Sequence, residues 1–352
     1  MSLTIFTSDR FADHLTPPGH PERPQRAEVM QVVAAEFRQR GGDVREPVPA
    51  SREAIERIHD ADYVTMIAET AGRATALDPD TYTSPDSYEV ALLAAGAGIE
   101  AVDHVLGGTS RRALAMVRPP GHHAERNRAM GFCLFNSIAI AAAHARASGL
   151  ARVAIVDYDV HHGNGTQSSF YDDPSVLFVS AHQYPYYPGT GAATETGIGR
   201  GAGFTVNIPL EAGATDADYD LVFNAIALPV LRQFAPELIL ISAGFDARED
   251  DPLGGMRVSD EGFARATAQI AQVADECCRG RVAAITEGGY DLGGLASSLR
   301  AVIPVLDGGP ERSAPHLGGN APVPIEARSA KVGRGKAAIE AVVPGLRQFW
   351  RL

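Results

Sequence analysis

The sequence predicts an α/β fold, one parallel sheet with helices packed on both faces. Three observations carry that expectation. Short apolar runs recur along the chain with few interruptions, as strands buried on both faces require. Longer stretches of helical periodicity alternate with them, which is how parallel strands are connected. The runs also end repeatedly in His, Asp, Tyr or Gly, and parallel strands bring their carboxyl ends together along one edge, where ligands bind.

In chain order, Leu3-Thr4-Ile5-Phe6-Thr7 reads as the first strand and is too short for a signal segment. Helical patterns follow over 26–39 and 86–106. The run 113–117 gives way to Arg118-Pro119-Pro120-Gly121-His122-His123, where the prolines forbid helix and deliver two adjacent imidazoles. A helix over 135–148 precedes the strand 153–156, which runs into Asp157-Tyr158-Asp159-Val160-His161-His162. In extended chain Asp157, Asp159 and His161 project to one side. Zinc takes carboxylate oxygen and histidine nitrogen, and a catalytic zinc keeps a position open, so this strand end suits a metal site. His162 points the other way and reads as a hydrogen-bonded structural residue.

Further along, the strand 176–180 precedes Ala181-His182, and 238–242 precedes Ala243-Gly244-Phe245-Asp246. The strand 282–286 precedes Glu287-Gly288-Gly289-Tyr290, where the phenol can donate a hydrogen bond to an oxyanion. Helices over 216–234 and 260–278 fill the intervals, the first starting at the cap-like Thr215-Asp216-Ala217-Asp218. Residues 308–324 read as a loop before a terminal helix near 337–349 that serves as a packing tail, so 1–352 is taken as one catalytic domain.

Composition narrows the class. A chain of 352 residues can bury a large core, and no 18-residue apolar stretch marks a membrane span. Three cysteines, Cys133, Cys277 and Cys278, do not form a disulfide framework, which fits a reducing cytoplasm. The net charge of −12 disfavours nucleic acid and favours cationic substrates. A homo-oligomer is compatible with all of this.

The motifs Arg-Pro-Pro-Gly-His-His-Ala at 118–124, Gly-Phe-Cys-Leu-Phe-Asn at 131–136, Asp-Tyr-Asp-Val-His-His-Gly-Asn-Gly-Thr-Gln at 157–167, Ser-Ala-Gly-Phe-Asp-Ala at 242–247 and Glu-Gly-Gly-Tyr at 287–290 occur in one order. On these the chain resembles the histone deacetylase superfamily, in the branch of class II deacetylases and bacterial acetylpolyamine amidohydrolases. The resemblance implies an arginase/deacetylase fold with an eight-stranded sheet and a metal-dependent hydrolysis of a linear amide. It makes Asp159, His161 and Asp246 the ligands of one catalytic Zn2+, with Fe2+ the other candidate. It pairs His122 with Asp157. Where many class I relatives carry an acidic partner for His123, this chain has Asn164. An amide orients the ring without adding charge, which suits His123 to act as base and then as donor to the amine. The division of base and acid between the two rings stays open at this level. Tyr290 becomes the oxyanion donor.

The resemblance further implies that Phe132 and Tyr187 flank an acyl tunnel, with Gly131 and Gly289 as backbone contacts. It implies potassium held by Asp157 and Asp159 with carbonyls at His161, Ser180 and Ala181, and a second ion near Phe170, Asp173 and Val176. The rim falls to 15–26 and 182–201, and Asp80 is assigned to a turn. The expected substrate is an acetylated small amine or an acetyl-lysine. A ureohydrolase would need bridging carboxylates where Gly163-Asn164 stand, and a non-catalytic corepressor would be expected to have lost one of these residues. A hydrolase of another small amide or ester on the same site is the remaining rival.

Overall fold

A computed structural model of the chain describes residues 3–108, 110–308 and 333–352. The strands are β1 (Leu3–Phe6), β2 (Asp43–Arg45), β3 (Thr75–Ala76), β4 (Tyr82–Thr83), β5 (Arg112–Ala115), β6 (Val153–Asp157), β7 (Val176–Gln183), β8 (Thr205–Leu210), β9 (Leu238–Ala243) and β10 (Val282–Thr286). β3 and β4 form a small antiparallel pair. The other eight make one sheet in the order β2-β1-β5-β10-β9-β6-β7-β8, with every pairing parallel. The helices are α1 (Gln25–Gln39), α2 (Arg52–Glu56), α3 (Ala61–Ala68), α4 (Ser87–Leu106), α5 (Ser137–Ala147), α6 (Asn164–Phe170), α7 (Asp216–Val222), α8 (Leu228–Phe234), α9 (Asp260–Cys277), α10 (Leu292–Asp307) and α11 (Gly333–Leu346).

Alternation along each strand divides the apolar side chains between two cores. Ala154 and Val156 of β6, with Ile239 and Ile241 of β9, face α1 and α7 to α11. Val153 and Ile155, with Leu238 and Leu240, face α2 to α6. Burying each such Val, Ile or Leu contributes about 1.5–3 kcal/mol. The central strands are therefore rigid supports for whatever follows their carboxyl ends.

The expected elements are present with shifts of a few residues, and the differences have physical causes. The helix expected over 216–234 is interrupted by a π turn at Phe223–Ala227. Pro229 in the first turn of α8 has no N–H to return to the carbonyl four residues back, and a widened turn accommodates that gap. α10 was not expected, because Gly293, Gly294 and Pro304 weaken its helical signal. Asp291 nonetheless caps it, its carboxylate accepting from Gly294 N at 2.6 Å. β2 is a three-residue polar strand with no apolar run to mark it. β8 carries Pro209 and lies at the sheet edge, where a missing donor is tolerated.

The terminal helix begins earlier than expected, at Gly333, and packs on α7 and β8. Trp350 Nε1 ties the chain end to Gly203 O at 2.7 Å. Beyond Gly308, the loop read over 308–324 lies outside the described residues. Among the described residues no helix is long and apolar enough to cross a membrane.

Candidate active site

Four adjacent strands at the middle of the sheet, β5, β10, β9 and β6, deliver their carboxyl ends to one place. β6 ends in Asp157 and leads to Asp159 and His161, and β9 leads to Asp246. β5 leads to His122 and His123, and β10 to Glu287 and Tyr290. All of these side chains are buried.

Asp159, His161 and Asp246 each offer one donor atom, and the three atoms lie within 4.8 Å of one another. His161 Nδ1 stands 3.2 Å from Asp159 Oδ1 and 3.1 Å from Asp246 Oδ2. The carboxylates are held from behind by backbone donors. Gly288 N reaches Asp159 Oδ2 at 2.8 Å, His161 N reaches Asp159 Oδ1 at 2.9 Å, and Val160 N reaches Asp246 Oδ1 at 2.8 Å. Burial, with the Asp159 charge added, pushes the Asp246 carboxyl up to about 7. Two buried carboxylates facing one imidazole are a donor set that a divalent cation would satisfy in fully ionised form.

The room for such a cluster is made by glycine. A Cβ on Gly288 would collide with the Asp246 and Asp159 carboxylates, and one on Gly244 would collide with Asp159. The oxygen, nitrogen and oxygen donors of this cradle fit zinc. Gly288→Ala is therefore expected to push both carboxylates aside and to cut zinc affinity, with little change in secondary structure. Zinc titration beside circular dichroism would check this, and wild-type affinity would count against the cradle.

Beside the cluster, His122 Nδ1 meets Asp157 Oδ2 at 2.9 Å, and its Nε2 lies 3.8 Å from Asp159 Oδ1. Burial works to lower this ring's pKa. The Asp157, Asp159 and Glu287 carboxylates outweigh it and hold the ring well above its usual value. His123 Nδ1 meets Asn164 Oδ1 at 2.8 Å. Burial and the neighbouring His122 and His161 hold His123 well below its usual value. Two adjacent imidazoles are thus shifted in opposite directions, His122 upward by the carboxylates around it and His123 downward by burial and the neighbouring rings.

Tyr290 is buried, and burial pushes its phenol far above the usual range, so it remains a donor. Asp251 Oδ2 accepts from Tyr290 N at 2.6 Å. Arg26 holds the preceding turn, donating from Nε to Gly289 O at 2.7 Å and from Nη2 to Glu287 O at 2.5 Å. Its guanidinium lies 4.9 Å from the centre of the Tyr290 ring. Gly289 at φ +119° adopts a turn that a side chain would resist, and its carbonyl is engaged by Arg26.

The two expected tunnel rings border this cluster. Phe132 meets Tyr290 edge-on at 5.6 Å between ring centres, and Tyr187 meets His123 edge-on at 5.2 Å. Tyr187 is 37% exposed. Gly131 packs on the His123 ring with φ +56°. Tyr186, not singled out from sequence, stacks on His161 at 5.6 Å. His162 turns away, bonding Thr190 Oγ1 at 2.8 Å and Gln167 Oε1 at 3.0 Å. Asp80 sits in the expected turn, where Asp78 Oδ1 accepts from Asp80 N at 2.9 Å. Of the residues linked to potassium, Ser180 lies beside Asp157 in register and its hydroxyl bonds His182 Nδ1 at 2.9 Å, while Ala181 follows on β7.

Sequence reasoning assigned no role to Glu287, whose Oε2 accepts from Gly121 N at 2.6 Å and His122 N at 3.1 Å. It thereby fixes the backbone of the histidine pair, and burial pushes its carboxyl up to about 7. An acidic residue at the end of a buried strand was the available signal. Arg26 and Asp251 left no comparable mark, because they act on backbone atoms remote in sequence.

The sheet order, with a carboxylate and imidazole cluster at the ends of its central strands, defines an arginase/deacetylase-type α/β protein. Comparison with known proteins narrows the class. The histone deacetylase domain matches residues 20–306. The chain is 40% identical over 297 residues to a probable deacetylase of Archaeoglobus fulgidus, covering 84% of this chain and 83% of that protein. It is 42% identical over 320 residues to the polyamine deacetylase HDAC10 of Homo sapiens, covering 85% of this chain and 46% of that protein. The crystal structure of the HDA15 HD domain superimposes with a TM-score of 0.87 at 34% identity, covering 99% of this chain and 95% of that one. The chain belongs to the histone deacetylase superfamily.

Proposed function

We propose that the chain is a zinc-dependent deacetylase that hydrolyses the N-acetyl amide of a slender aliphatic amine, with acetylated polyamines ahead of acetyl-lysine. The observation that carries this reading is the Asp159, His161 and Asp246 cluster, flanked by the two differently partnered imidazoles. Those three side chains would hold the ion. Bound there, zinc supplies Lewis acidity toward a carbonyl oxygen and toward water.

The remaining work falls to the chain's own groups. His123 keeps its Nδ1 proton on Asn164, so Nε2 accepts a proton from water and then passes it to the leaving amine. His122, charged against Asp157, places positive charge beside the carbonyl as negative charge develops. Tyr290 donates its phenol proton in a hydrogen bond to the same oxygen. Phe132 and Tyr187 flank the methylene chain and exclude water from it. A monovalent cation beside Asp157, Ser180 and Ala181 belongs to the same reading. It would stiffen the β6 end without entering the chemistry.

The name of the human relative supports a polyamine substrate, and the net charge of −12 favours a cationic one. Zinc-loaded protein is expected to release acetate from monoacetylated diamines and polyamines, and from acetyl-lysine peptides at a lower kcat/KM. The rate should fall as salt screens the acidic surface. Hydrolysis of a bulky neutral amide, with neither acetylated class cleaved, would contradict the substrate assignment.

A further inference from the structure

The hydrogen bond from His123 ends on a group that is itself constrained. Asn164 offers an oxygen on one side of its amide and a nitrogen on the other, and the two can exchange by a flip. Asn164 Nδ2 stands 2.8 Å from Glu125 Oε1. A carboxylate only accepts, so the nitrogen must face Glu125 and the oxygen must face His123. His123 O at 3.4 Å and Met130 Sδ at 3.4 Å are weaker partners of the same nitrogen.

The orientation decides the chemistry of the ring. With Oδ1 toward it, His123 carries its proton on Nδ1 and leaves Nε2 with a free lone pair. With the amide reversed, Asn164 would donate to Nδ1, the ring proton would move to Nε2, and no acceptor would face the reacting water. Glu125 is half-buried and lines a cavity of about 450 Å³ together with Asn164, Gln167, Thr190 and Tyr171. Because the cavity admits water to this side of the amide, packing alone does not forbid the flip.

We propose that Glu125 is a positioning residue that fixes the Asn164 amide and, through it, the tautomer of His123. The consequence for turnover rests on the reading of His123 as the group that takes the water proton. Glu125→Gln tests it with almost no change of shape, because a glutamine can donate as well as accept and no longer dictates the amide's direction.

In zinc-loaded protein, nitrogen-15 spectra of the histidine rings should show His123 protonated on Nδ1 in the wild type and a mixture of tautomers in Glu125→Gln. The variant's kcat is expected to fall about tenfold with KM nearly unchanged, a fraction of what general acid–base catalysis contributes. In an Asn164→Asp background the sign should invert. There two carboxylates would oppose each other, and Glu125→Gln would turn that repulsion into a hydrogen bond and raise kcat. An unchanged tautomer with wild-type kcat in Glu125→Gln, or an equal loss in both backgrounds, would overturn the proposal. If the protein deacetylates nothing while the tautomer still shifts in Glu125→Gln, the role of Glu125 stands and the deacetylase reading falls.

Discussion

Asp246→Ala is expected to abolish deacetylation, because it removes one of three donors whose atoms lie within 4.8 Å of one another. Loss of groups that merely orient a metal's ligands costs roughly 10–100-fold in affinity, so loss of a ligand should cost at least about 100-fold. The variant should still fold. Asp246 touches the backbone at Val160 N, and the surrounding strands are anchored by apolar side chains on both faces. Circular dichroism at wild-type strength, with zinc content near zero after dialysis, is the expected pair of results. Normal zinc content with normal turnover would remove Asp246 from the metal site.

Tyr290→Phe should separate chemistry from binding. The phenylalanine ring keeps the edge-on contact with Phe132 and the face presented to Arg26, so folding and zinc affinity should stay near wild type. Losing a single oxyanion donor costs about 100–1000-fold in kcat. The loss should appear in kcat with KM little changed, because the hydrogen bond strengthens as charge develops on the oxygen. A turnover within a few-fold of wild type would mean that the phenol does not face the reacting carbonyl.

The residues of this centre were legible because they lie at or a few residues beyond strand ends. Buried parallel strands are marked by apolar runs, and the first polar residue after them can fall on the binding edge, as Asp157 and Asp246 do, whereas His122 and Tyr290 lie seven and four residues beyond β5 and β10 and were carried by the Pro-Pro-Gly and Gly-Gly segments before them. Asp159 and His161 were expected from an extended chain, whereas the strand ends at Asp157 and the chain bends over 159–161, Asp159 N and His161 N each donating to the carboxylate two residues before it. The supports were not legible in the same way. Arg26 reaches Gly289 across 263 positions, and Asp251 holds Tyr290 through a backbone N–H across 39, so neither leaves a local pattern. Glu125 stood beside a recognised motif, but its partner is a side-chain amide 39 residues on.

The fold shows the same division. The apolar central strands were readable, whereas the polar three-residue β2 and the glycine-containing α10 are defined by their neighbours rather than by their own composition. Propensity and pattern report what a segment buries. They do not report a short edge strand or a helix held by its cap and its packing.

Anomalous diffraction at the zinc absorption edge, from crystals of zinc-loaded protein, tests the proposal that Asp159, His161 and Asp246 hold a zinc ion on which turnover depends. A single strong peak per chain is expected between those three side chains, absent in Asp246→Ala crystals. A peak elsewhere in the chain, with none at this cluster in active protein, would contradict it.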